Sequence, residues 1–140
     1  MKKTSLFLVI CLFCMVIVSC NHNEANIDNC TKAPVISAQA YASYPDDPLT
    51  IDSVAIVGNC LKITFSASGC SGSSWQVELV DSGNILESYP PQRTLRLSLE
   101  NNELCAAYIT KEATFNIRSL QTDGDRVLLN IDNYQILYTY

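Results

Sequence analysis

Leu61-Lys62-Ile63-Thr64-Phe65-Ser66-Ala67 sets an apolar side chain at every second position, with Lys62, Thr64 and Ser66 between them. Successive side chains of an extended chain point to opposite faces, so this stretch reads as a strand with one buried and one wet face. The same period recurs downstream. Trp75, Val77 and Leu79 alternate with Gln76 and Glu78, and Leu95, Leu97 and Leu99 alternate with Thr94, Arg96, Ser98 and Glu100. Ala113, Phe115 and Ile117 form a fourth set, Val127, Leu129 and Ile131 a fifth, and Tyr134, Ile136, Tyr138 and Tyr140 share one face at the end. Val54-Ala55-Ile56-Val57 and a short Ile85-Leu86 segment complete seven or eight strands. That number and spacing predict an all-β fold, an antiparallel β-sandwich of immunoglobulin-like type.

Gly58-Asn59, Ser82-Gly83-Asn84 and Asp123-Gly124-Asp125 lie between these runs. Such residues tolerate the positive backbone angles of tight hairpins, so neighbouring strands are expected to be antiparallel. Residues 101–110 lack alternation and are expected to hold a loop or a helical turn. Upstream, residues 21–50 are polar, contain Pro34, Pro45 and Pro48, and show little period before Val35-Ile36. Most of that stretch is expected to be a tether.

The chain opens with Lys2 and Lys3, then an unbroken apolar run over residues 6–18, then Ser19 and Cys20. This is the layout of a cleavable export signal. As a helix the run would rise ~20 Å, short of the ~30 Å hydrocarbon core of a bilayer, so a permanent span is not expected. Ile17-Val18-Ser19-Cys20 is similar to the bacterial lipobox, an aliphatic residue at minus three and a small one at minus one before a lipidated cysteine. That resemblance implies cleavage after Ser19 and acylation of Cys20, with diacylglyceryl and further acyl (palmitate-type) chains anchoring the protein stably. The expected organisation is a signal peptide at 1–19, a lipidated N-terminus and tether at 20–50, and a β-sandwich domain at 51–140. The expected location is the cell envelope, anchored to a bacterial membrane, the outer one, on its periplasmic or surface face.

Without Lys2 and Lys3, seven basic side chains face fourteen acidic ones, a formal charge of 7 − 14 = −7 for the mature chain. So acidic a surface argues against nucleic acid as a partner. Cys11 and Cys14 leave with the signal and Cys20 is consumed by lipid, so Cys30, Cys60, Cys70 and Cys105 remain. In an oxidising compartment four cysteines imply two disulfides, with three possible connectivities. A zinc site is the rival, but no CxxC pair and no usable histidine supports it, His22 lying in the expected tether. Cys60 and Cys70 bracket a strand and would stand ~30 Å apart, which excludes that pair. A strict meander would set Cys105 near Cys60.

From Ser66 to the C-terminus the chain also resembles a group of small, uncharacterised lipoproteins of Gram-negative bacteria. The residues that carry this are Ser68-Gly69-Cys70, Glu87-Ser88-Tyr89-Pro90-Pro91-Gln92, Cys105-Ala106-Ala107-Tyr108 and Thr114-Phe115-Asn116-Ile117. The resemblance brings no established activity. It implies that Cys70 and Cys105 are partners, which leaves Cys30 for Cys60. A crossover at Pro90-Pro91 would break the meander and reconcile the two arguments.

No catalytic, cofactor or metal motif emerges. Gly69-Cys70-Ser71-Gly72-Ser73 approaches a GxSxG elbow, but its last glycine is Ser73 and the folded domain has no histidine base. Asp123-Gly124-Asp125 offers calcium too few ligands and reads as a turn. Of the seven tyrosines, Tyr134, Tyr138 and Tyr140 are expected on the inner face of a last strand, whereas Tyr89 and Tyr108 sit beside irregular segments and are free to meet a partner. The expected function is a lipid-anchored, non-catalytic binding or structural module of the envelope, with an envelope protein or a glycan as partner. The alternative is a carboxylate-dependent envelope hydrolase, with Asp81, Glu87 and Glu103 as the candidate acids. A concave pocket holding two carboxylates would favour the enzyme.

Overall fold

The computed structural model describes Cys30 and residues 32–140; the expected signal peptide at 1–19, Cys20 and His22 lie outside the described residues. Among the described residues, eight strands, one short helix and a 3-10 turn follow in chain order. They are β1 (Val35–Ile36), α1 (Ala38–Ser43), β2 (Thr50–Val57), β3 (Cys60–Gly69), β4 (Gln76–Leu86), β5 (Gln92–Glu100), β6 (Ala107–Asn116), the turn Arg118–Leu120, β7 (Arg126–Ile131) and β8 (Tyr134–Thr139). The all-β expectation holds. One sheet has the order β2-β3-β6 and the other β1-β4-β5-β7-β8.

Both sheets contribute to one core, because each alternating run turns its apolar face the same way. Leu61, Ile63, Phe65 and Phe115 come from the smaller sheet, and Leu79, Leu95, Leu97, Val127, Leu129, Ile131 and Tyr138 from the larger. Phe65 and Trp75 meet with ring centroids 6.0 Å apart, joining β3 to the residue that leads into β4. Tyr134, Ile136 and Tyr140 pack against this core, as their shared face implied.

The sequence-adjacent pairs β2–β3, β4–β5 and β7–β8 are antiparallel, but β1–β4 and β5–β7 are parallel. The strand order also differs from the immunoglobulin arrangement, in that β5 sits between β4 and β7 and runs parallel to β7. Ser82-Gly83-Asn84 is not a hairpin. It is a bulge within β4, whose two flanks both pair with β5. Gly83 takes φ +76 there and donates its N–H to the Asp81 carboxylate at 2.6 Å, which stabilises the extra residues. Pro90-Pro91 lies in the β4–β5 hairpin rather than in a crossover, since Leu86 pairs with Gln92. Among the described residues the chain crosses between sheets elsewhere, at residues 37–49, 70–75, 101–106 and 117–125.

Those crossings explain the disulfides. β3 and β6 are antiparallel partners from Cys60↔Asn116 to Gly69↔Ala107, so Cys70 and Cys105 both leave the sheet at the same end. They are bonded, with Cα atoms 4.7 Å apart, and Cys30 is bonded to Cys60 at 5.6 Å. The meander alternative, Cys60 with Cys105, is absent because β6 returns beside β3.

The tether reading of residues 20–50 needs correction over its second half. Beyond its disulfide at Cys30, this segment follows the sandwich: Lys32 bridges Phe115, and β1 pairs with β4 at Val80 and Asp81. Ser37 caps α1 by accepting the N–H of Ala40, and Asp46 bridges Leu99. None of these contacts needs a long alternating run, so periodicity did not disclose them. The folded unit therefore includes residues 32–50.

Candidate functional site

The three carboxylates nominated from sequence do not converge. Asp81 is fully buried and paired with Arg93, whose Nη1 reaches both carboxylate oxygens at 3.2 Å. Glu87 lies in the exposed β4–β5 tip. Glu103 is a clamp. Its Oε2 accepts the N–H groups of Cys70, Ser71 and Gly72 at 2.5, 2.9 and 3.0 Å, and its Oε1 accepts the Ser74 hydroxyl at 2.9 Å. Backbone donation, first from Gly72 and then Ser71, holds the Glu103 carboxyl down to about 2. A carboxylate so stabilised does not deliver a proton near neutral pH. The near-GxSxG segment is thus a loop gathered around Glu103. Gly72 belongs to its geometry: φ is +67, and a Cβ there would fall 2.6 Å from Lys111 Cε.

Residues 101–103 are themselves fixed for this role. Asn101 accepts the N–H of Glu103 at 3.0 Å, donates its side-chain amide to the Ser68 carbonyl at 2.7 Å, and donates its backbone N–H to Asp47 at 2.7 Å. Asp123 and Asp125 do not form a cation site with a third ligand, and no cluster of three metal-ligating side chains occurs among the described residues. Arg126 occupies Asp125 instead, with two contacts at 2.8 Å.

The feature with convergent polar chemistry is a cleft of ≈ 730 Å³ that sequence reasoning missed. It arises from an incomplete edge on β5. β7 pairs only with Gln92 to Leu95, and residues 46 and 47 bond to Leu99 beyond it, so the edge opens at Arg96 and Leu97. Arg96 crosses this gap. Its guanidinium donates to the carbonyls of Tyr41, Tyr44 and Pro45 at 2.8, 2.9 and 3.2 Å, and lies 5.6 Å over the Tyr41 ring. Asp46 approaches it at 3.5 Å. With Ser98, which donates to the Pro45 carbonyl at 2.7 Å, this guanidinium holds segment 41–46 against the sheet, by capturing backbone oxygens that leave no mark in side-chain patterning.

Asp132 and Asn133 form the β7–β8 turn on the opposite wall, and Asp132 takes φ +50. Partial burial and then the nearby charge of Asp46 push the Asp132 carboxyl up, with Arg96 opposing. Tyr134 closes one end by donating its hydroxyl to the carbonyls of Asp52 and Ile51, at 2.9 and 3.2 Å. Among the described residues, the side chains of Thr50, Asp132 and Asn133 make no hydrogen bond, so their polar groups are available to a ligand. The cleft contains three carboxylates, but Asp47 accepts the N–H of Asn101 and Asp46 and Asp132 are both exposed to water.

The two aromatic residues expected to be free are exposed, at opposite ends of the sandwich: Tyr89 at 94% and Tyr108 at 66%. No helix among the described residues is long and apolar enough to cross a membrane.

No known family model matches this chain, and no curated protein matches it in sequence. Among solved structures, it is similar to a putative toxin-related protein of Parabacteroides distasonis, with TM-score 0.50 and 19% identity over 78% of this chain and 57% of that one. It is also similar to a NigD-like immunity protein of Bacteroides caccae, with TM-score 0.55 and 10% identity over 77% of this chain and 59% of that one. The chain spans under three fifths of either neighbour, and at these identities the likeness is one of fold.

Proposed function

We propose that this protein is an exported envelope lipoprotein, related to the small Gram-negative lipoproteins it resembles, that is anchored through Cys20 and binds a ligand without transforming it. The anchor rests on Ile17-Val18-Ser19-Cys20 behind an apolar run too short to span a bilayer. Cys20→Ala should leave an unlipidated precursor that partitions into the aqueous phase of a detergent extraction. Membrane fractionation equal to the parent's would place the anchor elsewhere.

The binding half is carried by the cleft beside Arg96, which offers hydrogen-bonding side chains and the rings of Tyr41 and Tyr134 in an open gap. Hydroxyl-rich glycans match that lining, because they need many polar contacts and an aromatic edge rather than a desolvated pocket. Sharing a fold with an immunity-like protein is consistent with a scaffold that works through its surfaces. Titrating the mature protein with cell-wall and host polysaccharides, followed by Asn133→Ala, should give binding that the substitution weakens. Absence of saturable binding would remove the glycan.

One observation favours a second reading, a carboxylate-dependent hydrolase: Asp46 and Asp132 share the cleft, and partial burial, with Asp46 nearby, pushes the Asp132 carboxyl up. Against it, Asp46 and Asp132 are both exposed to water, and the burial that raises Asp132 is partial, short of the enclosure that tunes a general acid. Polysaccharide turnover abolished by Asp132→Asn, in a folded protein, would replace the binding reading with this one.

A further inference from the structure

The end of the sandwich from which the N-terminal segment emerges carries exposed apolar side chains. Cys30 is bonded to Cys60, beside the β2–β3 turn. The β4–β5 tip lies at this same end: Tyr138, whose strand pairs with β7, donates to Asn59 and receives Gln121, and Gln121 lines one pocket with Ile85 and Pro91. On that tip Tyr89 is 94% exposed and Leu86 56% exposed, with Ile85 also exposed. The exposed apolar residues at the far end are Leu104 and Tyr108, next to the Cys70–Cys105 disulfide.

We infer that the β4–β5 tip, through Tyr89, Leu86 and Ile85, rests in the headgroup region of the lipid bilayer that holds the anchor. The inference depends on the proposed lipidation of Cys20. Ten residue steps separate Cys20 from Cys30, and a chain of that length reaches at most ~36 Å. β3 runs from Cys60 to Gly69, ~30 Å at 3.3 Å per step, so the far end could meet the lipid only if the linker were stretched back along the whole sandwich. The near end can meet it without any such stretch, with the linker slack beside the bilayer. Tyrosine is the side chain suited to that boundary, with an apolar ring for the acyl region and a hydroxyl for water. Charges around the tip nearly cancel, Glu87, Asp123 and Asp125 against Arg118 and Arg126. The contact is therefore apolar and should persist at high salt.

The test compares Tyr89→Trp with Leu104→Trp in the mature, acylated protein, reconstituted in phosphatidylethanolamine vesicles containing brominated acyl chains. Native Trp75 is common to both variants and supplies a constant background. Quenching by bromolipid should be about threefold stronger for the tip probe than for the far probe, which lies ~30 Å away, and should be unchanged in high salt. Equal quenching at both sites, stronger quenching at 104, or none at 89 in protein that floats with the vesicles would overturn the docking while leaving the anchor intact. Protein that fails to float would refute the anchor, and the docking with it.

Discussion

The N–H of Gly72 points at Oε2 of Glu103 from 3.0 Å, across 31 residues of chain. With Ser71 and Cys70 donating to the same oxygen, one carboxylate organises the loop beside the Cys70–Cys105 disulfide. The stabilisation exists only for the ionised form. Because the folded carboxyl titrates at about 2 against an ordinary 4.5, its contribution is full above pH 4.5 and disappears as pH falls toward 2. Melting temperature measured through that window should fall less steeply in Glu103→Gln than in the parent. Parallel curves would show that the carboxylate is not what these amides hold.

Asp81 and Arg93 form the ion pair of the β4 bulge, both buried, with Nε of Arg93 lacking a partner among the described residues. Removing one member strands the other charge in the interior. Asp81→Ala should therefore cost ~3 to 5 kcal/mol, whereas a double change to Asp81→Leu and Arg93→Met should cost less than the single one. Urea titrations of the three proteins decide this. A double variant weaker than Asp81→Ala would mean that leucine and methionine do not fill the space the ion pair leaves.

What was legible in the sequence follows from the physics of each contact. The strands from Leu61 to Tyr140 were readable because burial on one face of a sheet imposes period two on side chains, except at Ala107 to Thr110, expected as a loop or helical turn, which open β6 with largely exposed residues and so carry no alternation. Segment 41–47 was not, because Arg96 and Ser98 hold it by carbonyl oxygens, which every residue carries. Its one local signal was Ser37 before Ala38-Gln39-Ala40, an N-cap that α1 uses. The bulge mimicked a hairpin because Ser-Gly-Asn serves both, and only the pairing of both flanks with β5 separates them. The clamp by Glu103 was hidden for a different reason. Its donors are backbone amides distant in sequence, and the residue stands in a stretch with no period at all.

Phe115 has no exposed surface and lies opposite Leu61 in the β3–β6 ladder, with Lys32 bridging its other side. Phe115→Ala should cost ~3 to 5 kcal/mol, the range for emptying an aromatic site in a core. Chemical denaturation with unchanged slope checks it. A loss under 1 kcal/mol would mean that the two sheets close over the cavity.

The disulfides should act through the unfolded chain. They close separations of 30 and 35 residues, so each stabilises by ~3 to 4 kcal/mol in the chain-entropy model. Their consequences differ by position. Losing Cys30–Cys60, as Cys30→Ala with Cys60→Ala, removes a link between the N-terminal segment and β3, and amide exchange should rise at Lys32 to Ile36 but not in the 70–74 loop. Losing Cys70–Cys105 leaves Glu103 as that loop's main link to residues 101–106, so exchange should rise at Ser71 and Gly72. Identical exchange maps for the two variants would mean that the bonds do not act locally.

Asp132 gives a prediction of opposite sign to Glu103. Partial burial and Asp46 push its carboxyl above the ordinary 3.8, so the folded state favours the protonated acid. Its contribution to stability is therefore present below pH 3.8 and declines as pH rises through the folded value, leaving an ionisation penalty at neutral pH. The residue also holds φ +50, a region that asparagine tolerates as well as aspartate does. Asp132→Asn keeps that backbone and removes the charge, so it should raise the melting temperature at pH 7 and leave it unchanged at pH 3. The gain should be small and should shrink in high salt, since the residue is exposed and its charges are screened. Asp132→Ala separates the two causes, because it removes the same charge but strains the turn, and it should melt below the parent at both pH values. If Asp132→Asn is also less stable at pH 7, the carboxylate bears a stabilising contact in the cleft, and its role there must be sought in the ligand-free protein itself.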